Sequence, residues 1–424
     1  MKSSMIASLL MLGLAHGLQL SAQEKDDLKA EIDAWKKSRA GQLAAKNGLL
    51  PEPSNLESGE IDDGSEEIER FAHTKQVVAE LNKKHPHAKF STNNQFALMT
   101  EDEFAAFVKG SFSASKPKRQ LRADDVQMTL SEAQQEAAGV DWTTNKCMSP
   151  VRNQGQCGSC WTFSSVGAVE FGHCLMTGQL VDFSEQQLVS CASNAGNGCQ
   201  GGWPDKAIDY IAQTGLCTES GFPYASGSSN QNGQCQNCQK TKVNIGKSVN
   251  VQGESALQSA LDKQVVSVTV EAGNNVWRNY QSGVVQSCPG AQSDHAVLAV
   301  GYGSKNGVNH FKIKNSWGTG WGEGGYIYLQ RGVSGRGMCN VANGVSYPTL
   351  LGKPSESPSS QPTSKPSSQP TSKPTQKPTS KPQNACNGCS GCYYPAATQC
   401  LTADYDKNYC EYLAPQYGTK WCGA

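Results

Sequence analysis

The stretch QGQCGSCW at 154–161 places two thiols, Cys157 and Cys160, three residues apart in a Gly/Ser-rich setting. This spacing serves three chemistries. A redox dithiol exchanges with a substrate disulfide, a metal site uses both thiolates as ligands, and a nucleophilic site uses one thiolate while its neighbour is structural. The redox reading requires a compact βαβ unit around the motif, whereas this motif sits among loops and is followed by many more cysteines. The zinc reading needs two further ligands, for which Cys191 and Cys199 are weak candidates. The nucleophilic reading needs a base and a group that orients it. His295 in SDHAVLAVGYG opens a hydrophobic strand, and Asn315 interrupts the apolar alternation of FKIKNSWG; the chain has only seven histidines to choose from. An asparagine so placed can hydrogen-bond the imidazole and hold its ring against the sulfur.

The elements that must position these groups are partly legible. WTFSSVGAVEFGHCL, after Cys160, is helix-compatible and sets the sulfur at the positive end of the helix dipole, which favours the thiolate. SEQQLVSCA at 184–192 carries a Ser-x-x-Gln cap ahead of a helix, while VVSVTVEA and HAVLAVGYG are expected as strands. Helix and strand mixed without regular alternation predict an α+β domain. Upstream, EIERFAHTKQVVAEL at 67–81 has the spacing of an amphipathic helix, and Thr100-x-x-Glu103 is a capping box for a short helix bearing Phe104, Phe107 and Val108.

The chain has 424 residues, enough for two or three domains, and its 37 basic and 37 acidic residues give no reason to expect nucleic acid or an anionic membrane as partner. MKSSMIASLLMLGLAHG has the charge, apolar run and small residues of a signal peptide over 1–17, and no segment has 18 consecutive apolar residues. Seventeen cysteines fit the oxidising compartment that this implies, and eleven of them fall between 147 and 339. Residues 351–382 form a Ser/Thr/Pro-rich linker whose PTSKP repeats favour polyproline II and O-glycosylation. No Asn-x-Ser/Thr acceptor occurs. The tail, 383–424, holds six cysteines in 42 residues, an expected three-bridge framework with more Tyr and Trp than so small a core can bury.

QGQCGSCW, DHAVLAVGYG and KNSWGTGWGEGGYI together resemble the papain and cathepsin L family of cysteine endopeptidases. The resemblance covers about 138–350, with 135 residues from Cys160 to His295 and 20 more to Asn315. It implies a papain-like two-subdomain α+β fold, a helical left half and a β-barrel-like right half, with a helical propeptide over 18–137 and a small disulfide-rich C-terminal module. It further implies that Cys160 is the nucleophile, His295 the acid and base, and Asn315 its orienter. Gln154 and the Cys160 amide would form the oxyanion hole, with Trp317, Asp294 and Trp161 in support. Gly201 and Gly202 match the substrate-pairing edge. Trp203, Pro204, Ala296 and Gly344 match the pocket for the residue two before the cut (P2), and with no charge at 344 an apolar side chain is preferred there. Bridges are implied for Cys157–Cys199, Cys288–Cys339, and Cys191 with Cys235 or Cys238; Cys147, Cys174 and Cys217 stay unassigned.

No two-histidine insertion follows Cys199, which favours endopeptidase over dipeptidase action. NNQFALMTEDEF at 93–104 resembles the family propeptide, with Leu98 where an aspartate is usual, so an acid-activated zymogen cut near 135–140 is expected. Neither metal nor cofactor is required. The expected partners are peptide substrates, the propeptide in cis, and a carbohydrate or cell-wall ligand for the tail; the expected destination is secretion, a lysosome or an acidic vacuole. A reading from a different class, an inactive papain-like binding protein targeted by its tail, is disfavoured because Cys160 and Gln154 are both present.

Overall fold

The computed structural model describes residues 20–51, 64–109 and 139–351, and in the tail 389, 392–394, 399–400 and 420–422. The signal peptide, the linker and the expected processing region up to 138 lie outside the described residues.

Four helices make up the N-terminal segment: α1 (Ala22–Lys37), α2 (Arg39–Lys46), α3 (Ser65–Lys84) and α4 (Glu101–Lys109), with strand β1 (Ala88–Phe90) between the last two. The first two were not anticipated, although their signal exists. Ser21 and Glu24 form a reciprocal capping box, and Leu28, Ile32 and Trp35 bury one face at helical spacing. At α4 the Thr100 hydroxyl accepts the Glu103 amide at 3.1 Å while the Glu103 carboxylate accepts the Thr100 amide at 2.8 Å.

The remainder divides into a helical half and a sheet half. The helical half is built on α5 (Cys160–Thr177), flanked by α6 (Glu185–Cys191) and α7 (Pro204–Thr214). Every residue of α5 from Cys160 to Cys174 is buried, so this helix is apolar or hydrogen-bonded on all sides and runs through the centre of the molecule. The sheet half contains β2 (Val140–Asp141), β3 (Ile245–Val251), β4 (Val266–Val270), β5 (Tyr280–Val285), β6 (His295–Lys305), β7 (Val308–Lys314), β8 (Tyr326–Gln330) and β9 (Val345–Leu350), with short helices α8 (Glu254–Leu261) and α9 (Asn275–Asn279). Strands follow the order β1-β5-β8-β7-β6-β4-β9-β3, with β2 added beside β6. β1 of the N-terminal segment therefore supplies the sheet's edge, pairing antiparallel with β5. A single apolar cluster runs from Leu28, Phe71 and Phe96 to Trp277 and Trp321, making the N-terminal helices and the sheet half one body.

Five disulfides tie residues 139–351: Cys147–Cys174, Cys157–Cys199, Cys191–Cys235, Cys217–Cys238 and Cys288–Cys339. Cys191 thus pairs with Cys235, and the other cysteines of this region except Cys160 pair among themselves. The tail is a separate unit with a three-stranded sheet in the order β11 (Gln399–Cys400), β10 (Cys392–Tyr394), β12 (Lys420–Trp421). Cys389 and Cys422 are disulfide-bonded and Tyr393 is buried.

Between the two halves lies a buried charged seam. Arg152 stands 3.8 Å from Glu170 and 3.5 Å from Glu185, and pairs with Asp182. Lys314, its ammonium held by the Ser149 carbonyl at 2.6 Å, lines the same small cavity. Burial raises both glutamates above the ordinary carboxylate range and pushes Lys314 down to about 8. Removing the arginine would leave two buried carboxyl groups without their main counter-charge. Arg152→Ala is therefore expected to cost about 3–5 kcal/mol, against less than about 1 kcal/mol for Lys75→Ala, whose partner Glu31 is solvent-exposed. Denaturant melts of the purified chain check this, and equal losses in the two variants would contradict it.

Candidate active site

Three structural units meet at Cys160. The helical half supplies the cysteine itself, the first residue of α5, whose preceding Ser159 occupies the N-cap. Cys157 is bonded to Cys199, so the two cysteines of the motif are not a dithiol pair, and Cys191 and Cys199 are both committed to bridges rather than to a metal. Cys160 keeps its thiol. Its sulfur accepts the Ala296 amide at 3.3 Å, which places it against the backbone that carries His295.

His295 begins β6 and is wholly buried. Its Nε2 lies 2.8 Å from Asn315 Oδ1. An amide oxygen only accepts, so Nε2 carries the proton and Nδ1 is the basic nitrogen, which is buried without a hydrogen-bond partner. Trp317 lies flat over the imidazole, ring centroids 4.9 Å apart and planes inclined by 22°. Burial pushes His295 down to about 4, and the Asn315 hydrogen bond only partly offsets this. With the N-terminal segment docked, the imidazole is neutral. Asp294, although next in sequence, turns its carboxylate to the Ala272 amide at 2.7 Å and to the Gly273 amide. Its hydrogen bonds go to that turn and not to the imidazole.

Gln154 is fixed by its own polar atoms. Its amide donates to the Ser316 carbonyl at 2.8 Å, its Oε1 accepts the Ser316 hydroxyl at 2.6 Å, and its Nε2 donates to the Cys157 carbonyl at 3.0 Å. The Cys157 carbonyl, which can only accept, settles which end of the carboxamide is nitrogen, and one Nε2 hydrogen remains uncommitted beside the cysteine-bearing turn. Ser316 follows Asn315, so the residue that positions the imidazole and the one that positions the glutamine are neighbours on one strand end. Ser316 carried no signal in the sequence beyond that adjacency.

The other expected residues distribute over both halves. Trp161 is buried and donates from its indole to the Gly198 carbonyl at 3.0 Å. A Cβ on Gly202 would fall 2.5 Å from the Trp161 ring, so the strip at 201–202 passes over that indole only because it lacks a side chain. Trp203 caps α7 and Pro204 is its first residue. On the sheet side Ala296 pairs with Thr269 across β4 and β6, and a Cβ on Gly344 would fall 2.6 Å from Thr269 Oγ1. Thr269 is thus an unanticipated member of the Ala296–Gly344 wall, bringing a hydroxyl without a charge.

The N-terminal segment closes over this arrangement. Phe96, Phe104 and Phe107 pack on Trp317 with centroids 5.3, 5.7 and 6.1 Å away. Gln95 donates to the Trp317 carbonyl at 3.1 Å, and Arg278 of α9 donates to the Met99 carbonyl at 2.7 Å. Leu98 is buried and offers its carbonyl to Arg70, which also pairs with Glu103.

Residues 137–349 match the family described as papain family cysteine protease. Digestive cysteine proteinase 1 of Homarus americanus is 39% identical over 295 residues, covering 66% of this chain and 87% of the relative. Germination-specific cysteine protease 1 of Arabidopsis thaliana is 34% identical over 334 residues, covering 77% and 88%. Among solved structures, the proform of the ragweed pollen allergen Amb a 11 superposes with a TM-score of 0.63 at 29% identity, over 78% of this chain and 96% of that one. Digestive procathepsin L 3 of Tenebrio molitor gives 0.58 at 32% identity, over 74% and 100%. A buried cysteine outside the disulfide framework, an asparagine-held histidine and this breadth of similarity lead to one assignment: the chain belongs to the papain family of cysteine proteases, with a papain-like α+β fold.

Proposed function

We propose that this chain is the zymogen of an endopeptidase in which Cys160, His295, Asn315 and Gln154 carry out acyl transfer. The observation that carries the reading is the convergence of a cysteine at a helix start, its sulfur accepting the Ala296 amide, with the adjacent His295 imidazole whose tautomer Asn315 fixes. With substrate bound, the Cys160 thiolate adds to the scissile carbonyl carbon. The C–N bond then breaks as His295 gives its Nδ1 proton to the leaving amine, leaving a thioester. Water adds next, His295 takes its proton, and the C–S bond breaks to release the acid and restore the thiolate. Negative charge on the carbonyl oxygen is met by Gln154 Nε2 and the Cys160 amide.

Activation by acid follows from the buried histidines. A histidine whose pKa is lowered in the closed form stabilises that form above the ordinary imidazole pKa and withdraws the stabilisation as pH falls below it. For His295, down at about 4 from 6.5 through burial, the part of that burial supplied by the N-terminal segment is stabilisation that the closed form loses as the pH falls through this window. His85 at the end of α3 shifts in the same direction, through burial first and Lys84 second. For Glu103, burial acts to raise the pKa but Arg70 and Thr100 bring it below the ordinary value, so its contribution is lost only at still lower pH. The propeptide is the segment 18–137, released near 135–140.

The uncharged Ala296–Thr269–Gly344 wall supports a preference for an apolar P2 residue. No helix among the described residues is long and apolar enough to cross a membrane, and the lobster relatives are named digestive proteinases; secretion or an acidic vacuole or lysosome is the destination we assign. Chain incubated at pH 4.5 is expected to cleave fluorogenic peptides with Leu at P2 at least about tenfold better in kcat/KM than those with Arg, and Cys160→Ser to abolish cleavage. Activity in the serine variant, or a preference for Arg, would overturn the reading.

For 383–424 we assign carbohydrate or cell-wall binding, supported by seven Tyr and Trp residues among six cysteines. Full chain is expected to be retained on insoluble polysaccharide, and chain ending at 351 to flow through; equal retention would remove the assignment.

A further inference from the structure

Tyr224 reaches the reacting groups from behind. Its hydroxyl lies 2.7 Å from the Gln154 carbonyl and 2.7 Å from Ser159 Oγ. A phenol has one proton, and a carbonyl can only accept, so Tyr224 donates to Gln154 and Ser159 donates to Tyr224. The hydroxyl therefore joins the backbone of the glutamine to the residue that immediately precedes Cys160. These are the two carriers of the oxyanion donors: the Gln154 side chain on one side, and on the other the Cys160 N–H, which belongs to the Ser159–Cys160 peptide.

The ring is itself held. It meets Phe163 edge to face at 4.9 Å, with planes at 83°. Its backbone amide donates to Glu219 at 2.8 Å, and a Cβ on Gly227 would fall 2.9 Å from its Cε1. The hydroxyl is thus a fixed point rather than a swinging one. On the opposite side, Gln154 is tied to Ser316 and through its side chain to Cys157. These two ties hold the carboxamide, and the Tyr224 hydroxyl joins the main chain of the same residue to Ser159 at the start of α5.

We propose that Tyr224 is a positioning residue for the oxyanion hole, its hydroxyl setting the separation between Gln154 Nε2 and the Cys160 amide. The proposal rests on the assignment of those two groups as oxyanion donors. It differs from a packing role, because the ring's contacts with Phe163 and Gly227 survive removal of the hydroxyl. Oxyanion donors act when charge develops on the carbonyl oxygen, so a loosened pair lowers kcat and leaves KM nearly unchanged.

The test is a cycle of kcat and KM for processed enzyme carrying Tyr224→Phe, Gln154→Ala and both. Gln154→Ala is expected to lower kcat about 10²-fold, and Tyr224→Phe about tenfold with KM within about twofold. If Tyr224 acts through Gln154, the double variant falls no lower than Gln154→Ala alone within about twofold. Losses that multiply, a change confined to KM, or an unchanged kcat in Tyr224→Phe would overturn the proposal while leaving the oxyanion assignment intact. Full activity in Gln154→Ala would instead overturn that assignment and the proposal with it. Should Tyr224→Phe fail to yield folded enzyme, Ser159→Ala removes the other end of the bridge; a kcat loss that vanishes in the Gln154→Ala background supports the proposal, and multiplying losses overturn it.

Discussion

The 2.8 Å hydrogen bond between His295 Nε2 and Asn315 Oδ1 is the contact on which the rest of the molecule depends. It fixes the tautomer, which leaves Nδ1 as the basic nitrogen of the imidazole. A bond between neutral groups contributes little in water, because water competes for both partners. Here Trp317 covers it and the pair is buried, so the competition is removed and the geometry holds. Burial of the closed form makes an imidazolium costly, so there the site keeps its geometry at the expense of its charge.

That opposition explains how the N-terminal segment is built. Its three phenylalanines pack on Trp317, the ring that stacks on the imidazole. β1 completes the sheet edge at β5, and α3 and α4 are clamped together by Arg70 between Glu66 and Glu103. The segment extends the hydrophobic core of the sheet half into a lid. Opening it would expose the aromatic surface that Phe96, Phe104 and Phe107 share with Trp317; on the reading proposed above, protonation of His85 and His295 favours that opening.

The chemistry was far more legible in the sequence than the framework. Cys160, His295 and Asn315 stand in long motifs because each must be flanked by particular neighbours: a helix start, a strand start, a strand end. Helix α5 was legible as a helix-compatible stretch after Cys160, and α4 from its capping box. Tyr224, Ser316 and Thr269 could not, because their roles are contacts across 70, 162 and 75 positions and leave no local pattern. The pairing of Cys147 with Cys174 and of Cys217 with Cys238 was equally hidden, since spacing does not encode connectivity. Asp294, which the resemblance implies to be a supporting residue, gives its carboxylate hydrogen bonds to the turn at Ala272 and Gly273. Helices α1 and α2 had readable caps and periodicity but sit upstream of any motif that draws the eye.

The most direct test of this account is the rate at which a small neutral alkylating agent modifies Cys160, followed from pH 4 to 9 for the intact chain and for chain freed of its N-terminal segment. The account predicts that the freed enzyme reacts readily near pH 5, as an imidazolium-paired thiolate does. The intact chain should react at least about 100-fold more slowly there, and faster only as an ordinary thiol ionises. Coincident pH profiles would show that the covered imidazole is not held neutral, and would contradict it.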